Sequence, residues 1–300
     1  MVTEIRLREV PKRPDWLKVR LPAGPRYAEL KETMRSLELH TVCEEARCPN
    51  IGECWGHGTA TFMILGDVCT RACRYCAVTS GKPEVLDLGE PKRVAEAVRK
   101  MELKHAVVTS VDRDDLPDGG ASIFAATIRK IHELVPDCAV EVLTPDFQGS
   151  EESLRTVMDT QPEILNHNIE TVPRIFPRVR PGRSRYGVSI ELLRRAKDLA
   201  PDGLTKSGLM VGFGETHEEV LGTMRDLRGA HVDILTIGQY LQPTQKHVLI
   251  DRYYHPREFA QLRSEGLAMG FSHVESGPLV RSSYHAHEQS KSLRAGRKPA

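Results

Sequence analysis

The cysteines of this chain are the residues whose number and spacing most directly indicate chemistry. Six of the seven cysteines fall within 34 residues. They form two triplets, Cys43-x4-Cys48-x5-Cys54 and Cys69-x3-Cys73-x2-Cys76. Structural zinc favours four-ligand sets built from Cys-x2-Cys pairs, whereas an iron–sulfur cluster is held by thiolates and accepts a non-cysteine ligand at one iron. The spacing therefore favours iron–sulfur clusters over zinc sites, and each triplet leaves one iron open to another ligand.

The elements that must position these triplets alternate between strand-like and helical patterns. We predict six strands, at residues 61–66, 105–111, 139–144, 164–169, 205–211 and 234–240. We predict a short helix at 27–36 and further helices at 91–102, 121–135, 151–160, 189–199, 216–229 and 255–269. This alternation is typical of a parallel α/β sheet, either a partial TIM-like barrel or an open doubly wound sheet. Both architectures bind ligands at the carboxyl ends of their strands.

Polar residues collect at those predicted strand ends. The second triplet directly follows the first strand, and the fourth strand places Asn166, Asn168 and Glu170 on one face because side chains alternate along a strand. A polar pocket fed by several strands is therefore expected. Cys138 stands apart from both triplets, and we predict that it is a buried free thiol.

Composition limits the class of protein. The chain has 300 residues, with 42 Lys and Arg against 41 Asp and Glu, and its formal net charge of +1 argues against a general nucleic-acid or membrane surface. No apolar stretch approaches 18 residues, and the first 20 residues lack the apolar core of a secretory signal. We therefore expect a cytoplasmic protein with reduced thiols and no membrane partner. Residues 1–25 are rich in proline and charge, which predicts an extended or disordered leader.

The second triplet resembles a known signature. The segment from Cys69 to Cys76, with Tyr75 in the aromatic place, is similar to the Cys-x3-Cys-x-aromatic-Cys motif of the radical S-adenosylmethionine superfamily. In that superfamily the three cysteines hold a 4Fe-4S cluster, and its fourth iron chelates S-adenosylmethionine. Open coordination and a low-potential electron source are what this chemistry requires.

The first triplet narrows the resemblance to the lipoyl synthase family. Its segment 43–55 resembles that family's auxiliary-cluster motif, and further matches lie at 60–67, 114–120, 166–172, 206–212 and 281–285, so the resemblance runs from about 37 to 287. It implies a partial (β/α)6 TIM-like barrel over residues 57–270. An N-terminal extension at 1–56 would carry the first triplet. A closing segment with a basic tail would occupy 271–300.

The activity implied by the resemblance is that of a sulfurtransferase. Two sulfur atoms are inserted at carbons 6 and 8 of an octanoyl chain that is amide-linked to a lysine of a carrier protein. The cofactors implied are two 4Fe-4S clusters and two S-adenosylmethionine molecules per turnover. The resemblance makes Ser282 the fourth ligand of the auxiliary cluster, which donates the sulfur, so the C-terminal segment must fold back to the first triplet.

The resemblance also suggests residues that bind S-adenosylmethionine or substrate. These candidates are Tyr75, Gly119, Gly120, Asn168, Glu170, Arg180 and Lys206. For the two glycines the alternative is a plain turn. For Asn168, Glu170 and Lys206 the alternative is a polar side chain with a purely structural role.

Partners follow from the resemblance as well. They are octanoylated lipoyl-carrier domains, namely the acyltransferase subunits of 2-oxoacid dehydrogenases and the H protein of glycine cleavage. The resemblance also implies an electron donor, such as flavodoxin or ferredoxin, and an iron–sulfur carrier protein. It implies no nucleic-acid partner. The run from Arg174 to Arg185 has five arginines and no acidic residue, and part of it is a candidate surface for the carrier. The alternatives to the lipoyl synthase function are a methylthiotransferase-like radical enzyme, a two-cluster electron carrier and a structural zinc protein.

Overall fold

The structure is a computed structural model, and it describes residues 11–18, 25–45, 48, 50–56, 60–83, 86–284 and 286. Residues 1–10 and 19–24 of the predicted leader and most of the basic tail lie outside these residues. The strands in the described part are β1 (His40–Thr41), β2 (Thr61–Ile64), β3 (Val68–Cys69), β4 (Thr79–Ser80), β5 (His105–Ser110), β6 (Ala139–Leu143), β7 (Ile164–Asn166), β8 (Leu204–Val211), β9 (Ile234–Gln239) and β10 (His273–Gly277).

Helices separate most of these strands. They are α1 (Pro25–Ser36), α2 (Val42–Glu45), α3 (Ile51–Gly56), α4 (Glu90–Lys100), α5 (Ala121–Leu134), α6 (Glu151–Met158), α7 (Phe176–Val179), α8 (Tyr186–Leu199), α9 (His217–Gly229) and α10 (Pro256–Ala268). Two short 3-10 helices, Asp15–Leu17 and Phe147–Gly149, are also present.

The main sheet has eight strands in the order β1-β2-β5-β6-β7-β8-β9-β10, and β3 and β4 form a separate pair. All neighbours in the main sheet are parallel except β1, which is antiparallel to β2. The first and last strands of this order are not paired to each other, so the sheet is open. The α/β class and the partial TIM-like barrel are confirmed.

The six predicted strands and the predicted helices are confirmed, with ends that differ by a few residues. Sequence patterns missed β1, β10 and the β3–β4 pair. Strands of two residues are too short to show a period of two, and β10 lies in the segment predicted only to close the site.

Burial follows the layers of the fold. Every residue of β9 is buried, as expected for a strand covered on both faces. Helix α4 buries Val94, Ala95 and Val98 on the face that packs inward and carries basic residues in its last turn. Cys138 is 1% exposed, which confirms the prediction of a buried thiol. No helix in the described ranges is long and apolar enough to cross a membrane.

A buried ion pair links two strands of the main sheet. The Lys206 ammonium on β8 is 3.0 Å from the carboxylate of Glu141 on β6, and both side chains are fully buried. Asn166 on β7 donates a hydrogen bond of 2.9 Å to the same carboxylate. Burial raises the pKa of Glu141, but Lys206 and His105 outweigh it and hold that pKa at about 2. The Glu141 carboxylate is therefore charged although it is fully buried.

Candidate active site at the carboxyl ends of the strands

A cavity of about 530 Å³ lies where the carboxyl ends of the parallel strands meet. Its wall includes residues from the ends of β5, β6, β7, β8 and β9 and from the second cysteine triplet. Arg13, Arg281 and Ser282 contribute from the two ends of the described chain. Ligand binding at this edge is the expectation for parallel α/β sheets.

The second triplet lies in this wall because its loop is held by backbone hydrogen bonds. Cys69 ends β3, and its carbonyl accepts from Gly81, while the Cys73 carbonyl accepts from the Cys76 amide at 3.1 Å. The Thr70 amide donates to the Asp112 carbonyl at 3.0 Å, which joins the loop to the end of β5. All three thiols line the cavity.

The charges on these thiols depend on one another. Burial, together with the charge of another cysteine of the triplet, raises the pKa of Cys73 to about 12 and that of Cys76 to about 11. The thiols are therefore close enough to interact, as the ligands of one cluster must be. Bound iron would favour the thiolates, since a coordinating thiol is deprotonated by the metal. Three clustered thiols with access to a cavity thus fit an iron–sulfur cluster with an open iron.

Arg71, inside the second triplet, ties the loop to the barrel. Its side chain is 4% exposed and donates two hydrogen bonds to each of two carboxylates, Asp114 at 2.8 Å and Asp146 at 2.6 and 2.8 Å. Asp112 lies 3.4 Å from the same guanidinium. Bidentate contacts of this kind fix orientation as well as position. Sequence reasoning missed this role, although the cluster of acidic residues after β5 is visible in the sequence.

Tyr75, Glu170 and Arg180 form one charged group in the cavity wall. Burial, and then the Glu170 carboxylate, raise the pKa of Tyr75 well above its usual value. Burial also raises the pKa of Glu170, and the Arg180 guanidinium counteracts that effect. Arg180 is 5% exposed and donates to the Asn168 carbonyl at 3.3 Å. The structure therefore brings four of the predicted ligand-binding residues together.

Several polar atoms in this wall are buried without a hydrogen bond in the described part of the chain. They are Ser110 Oγ, Thr144 Oγ1, Asn168 Oδ1 and Arg180 Nε. An unsatisfied buried polar atom costs about 1–3 kcal/mol. The cavity wall thus offers hydrogen-bond donors, acceptors and charges of both signs. These suit a ligand that carries an amino group, a carboxylate and hydroxyls. S-adenosylmethionine has all of these groups.

Three of the residues predicted to bind S-adenosylmethionine or substrate lie outside the cavity wall. Lys206 is buried in its ion pair with Glu141. A β-carbon on Gly120 would overlap the side chain of Leu65, and one on Gly119 would lie 3.2 Å from Phe147. Both glycines have positive φ, and Gly120 leads directly into α5. Their close packing accounts for glycine at both positions, and the cofactor contacts of all three residues stay predictions.

The first triplet lies in α2, α3 and the turn between them. The Cys48 amide donates to the Cys43 carbonyl at 3.0 Å. Burial, together with the charge of Cys48, raises the pKa of Cys43 to about 11 and that of Cys54 to about 12. These thiols also lie close enough to interact and fit a second cluster. Within the described residues, no three His, Cys, Asp or Glu side chains are arranged to hold a single metal ion.

The C-terminal segment 279–284 reaches the first triplet through three hydrogen bonds. Asn50 Nδ2 donates to the Leu279 carbonyl at 2.7 Å, and Thr61 Oγ1 donates to Ser283 Oγ at 2.9 Å. Tyr284 Oη donates to the Glu53 carboxylate at 3.1 Å. Ser282 lies between these anchors and lines the cavity, and its role as a ligand of the auxiliary cluster stays a prediction.

The arginines of the basic run have different surroundings. Arg174 is paired with Glu219 at 2.6 Å, Arg178 donates to the Phe213 carbonyl, and Arg180 faces the cavity. Arg183 and Arg185 are exposed. The run is therefore not one continuous surface, and carrier docking stays a prediction for its exposed members.

Comparison with known proteins identifies the class. The family model of the radical SAM superfamily matches residues 63–227. The fold resembles a crystal structure of methylornithine synthase with a TM-score of 0.54 and 14% identity, covering 91% of this chain and 94% of that one. Fold and site thus define a radical SAM protein.

A second family model, the N-terminal domain of lipoyl synthase, matches residues 4–48. A lipoyl synthase of Rubrobacter xylanophilus is 67% identical over 284 residues, covering 95% of this chain and 88% of the relative. One of Halalkalibacterium halodurans is 60% identical and covers 94% of this chain and 93% of the relative. The chain belongs to the lipoyl synthase family. This assignment favours lipoyl synthesis over the methylthiotransferase, electron-carrier and zinc alternatives.

Proposed function

We propose that the chain is a sulfurtransferase that inserts two sulfur atoms, at carbons 6 and 8, into the octanoyl-lysine of a carrier protein. The observation that carries the proposal is a cavity lined by both the second triplet and the C-terminal segment. Cys69, Cys73 and Cys76 line it together with Ser282, and the segment that holds Ser282 is hydrogen-bonded to the region of the first triplet. A radical centre and a sulfur source that act on one chain must both reach the same space.

The proposed cofactors are two 4Fe-4S clusters and S-adenosylmethionine. The second triplet would hold one cluster, and the first triplet with Ser282 would hold the other. When bound, these groups would supply the electron for cleavage of S-adenosylmethionine and the sulfur for insertion. An unactivated C–H bond has neither an acidic proton nor a leaving group, which is why acid–base chemistry alone does not suffice.

The chain's own residues would bind and orient the reactants. Arg180 offers a guanidinium for a carboxylate, and Asp112 and Glu170 offer carboxylates for an amino group or hydroxyls. Arg71 would keep the second triplet in place, because its bidentate contacts to Asp114 and Asp146 join the loop to β5 and β6. The apolar side chains of Met63, Val111 and Leu143, which also line the cavity, suit the octanoyl chain.

Anaerobic reconstitution tests the proposal. The protein should bind about eight irons per chain and, with S-adenosylmethionine, a reductant and an octanoyl-lysyl peptide, form 5′-deoxyadenosine and a sulfur-containing peptide. Cys73→Ala should abolish 5′-deoxyadenosine. Cys48→Ala should still form it but insert no sulfur. Formation of 5′-deoxyadenosine without sulfur in the peptide by the unmodified protein would refute the proposal.

Carrier docking is part of the proposal. Arg183 and Arg185 are exposed beside the cavity residue Arg180 and could contact an acidic carrier. Replacing both with Gln should weaken binding of an octanoylated carrier domain, measured by calorimetry, but not binding of a short octanoyl-lysyl peptide. Arg194→Gln, an exposed arginine of α8 paired with Glu191, is the matched control. Raised ionic strength should reproduce the selective loss, and an equal effect on peptide and carrier would exclude electrostatic docking.

A further inference from the structure

The sulfur of Cys43 has an unusual set of neighbours. Trp55 is fully buried, and its indole Nε1 has no hydrogen bond of normal geometry in the described residues. The indole lies close enough to the sulfur atom of Cys43 to interact with it. The backbone of Thr61 on β2 interacts with the same sulfur. Donors from α3 and β2 therefore converge on one atom.

The fold explains this convergence. Thr41 of β1 pairs with Phe62 of β2, which places Cys43 beside the start of β2 at Thr61. Trp55 immediately follows the last cysteine of the triplet, and its ring packs against Tyr27 with centroids 5.1 Å apart. The indole is thus held from its other side by α1.

Hydrophobic packing alone does not account for a tryptophan here. A phenylalanine would also fill a buried site against Tyr27, and it would bring no polar atom. A buried N–H without a partner costs about 1–3 kcal/mol. A neutral thiol is a weak acceptor, whereas an ionised group accepts hydrogen bonds about twice as strong. The donors around Cys43 therefore match a thiolate ligand better than a thiol.

We propose that Trp55 is a positioning residue of the auxiliary site, whose indole N–H donates to the Cys43 thiolate when a cluster is bound. This inference rests on the proposed function, because it requires the first triplet to hold a cluster. The hydrogen bond stabilises the more negative, reduced state and so raises the reduction potential of the auxiliary cluster. It also holds Cys43 in place and slows the loss of iron.

The test uses the full-length chain with Cys69, Cys73 and Cys76 replaced by Ala, so that the auxiliary cluster is measured alone. In this background, Trp55→Phe removes the N–H and keeps an aromatic ring. We expect a more negative reduction potential in an EPR-monitored redox titration. We also expect about tenfold faster transfer of iron to a chelator, as for a lost hydrogen bond to a charged acceptor.

Two controls separate this effect from loss of packing. Trp16→Phe makes the same change at the other tryptophan, which is 40% exposed, and should leave both measurements unchanged. Substitution of Trp55 by benzothienylalanine keeps the shape of the indole and replaces only its N–H by sulfur. It should reproduce the shift in potential with an unchanged melting temperature of the apoprotein.

The outcomes distinguish the inference from the proposed function. If the background protein binds about four irons and the benzothienyl variant has an unchanged potential and iron-release rate, the inference is wrong and the proposed function stands. If the background protein binds no cluster under conditions that load the unmodified chain, the auxiliary site of the proposed function fails, and the inference fails with it.

Discussion

Strand β9 and the C-terminal segment meet at Gly238 and Val280, where a β-carbon on the glycine would overlap the carbonyl oxygen of the valine. The guanidinium of Arg281 lies 3.3 Å from the same point. The absence of a side chain at Gly238 thus lets the backbone that leads to Ser282 rest directly on the sheet. A backbone carbonyl cannot turn away as a flexible side chain can, so the contact is sensitive to a single methyl group.

Gly238→Ala should displace the segment that carries Ser282. We expect the iron content after reconstitution to fall from about eight towards about four per chain, with 5′-deoxyadenosine formation retained and sulfur insertion lost. Gly229→Ala is the matched control, because a β-carbon there meets nothing within 4 Å. Full iron content and sulfur insertion in Gly238→Ala would show that the segment tolerates the shift.

The contacts of Arg71 should contribute strongly to stability. Asp146→Ala removes one partner of a buried ion pair and should lower the free energy of unfolding by about 3 kcal/mol. Asp198→Ala breaks an exposed pair with Arg194 and should cost less than about 1 kcal/mol. Urea unfolding of the apoproteins measures both. Equal losses of unfolding free energy would mean that the buried ion pair contributes no more to stability than the exposed one.

The pair of Lys206 and Glu141 should behave as a coupled unit. Lys206→Met or Glu141→Gln alone leaves one buried charge without its partner and should cost about 3–5 kcal/mol. The double variant should be more stable than the sum of the two losses predicts. A double-mutant cycle from urea unfolding gives the coupling energy, and strict additivity would contradict the ion pair.

His167 should make stability depend on pH. It is 2% exposed, its two ring nitrogens are hydrogen-bonded to the Thr144 carbonyl and Ser189 Oγ, and burial followed by the Arg180 charge lowers its pKa to about 4. The unfolded chain, with a pKa of about 6.5, then binds more protons between these values. Stability is fully present above pH 6.5 and falls as the pH drops towards 4, by up to about 3 kcal/mol.

Replacement of this histidine isolates its contribution. His167→Gln should show a shallower fall in unfolding free energy between pH 6.5 and 4 than the unmodified chain, measured by urea unfolding at each pH. His247→Gln, which replaces a partly buried histidine of the loop after β9, should retain the full slope. Parallel profiles for His167→Gln and the unmodified chain would show that His167 does not titrate with a lowered pKa.

Local patterns in the sequence were sufficient for the α/β class and for most elements. The six main strands and the helices that follow them repeat apolar positions with their own periods, and these periods depend only on neighbouring residues. The cysteine spacings likewise indicate two thiolate groups without any knowledge of the fold. Asn168 and Glu170 were predicted because strand ends converge in parallel α/β sheets, whereas Tyr75 and Arg180 came from the resemblance to known families.

The tertiary structure alone decided contacts between residues that are distant in the chain. Lys206 follows the same strand pattern as a ligand-binding residue, yet Glu141, 65 positions away, holds it inside the sheet. Which strands become neighbours also decides the partners of Arg71, the position of the Trp55 indole beside Cys43 and the contact of Val280 with Gly238. Sequence spacing records the period of each element, but side-chain pairing across the sheet depends on its register and burial, which exist only once the chain has folded.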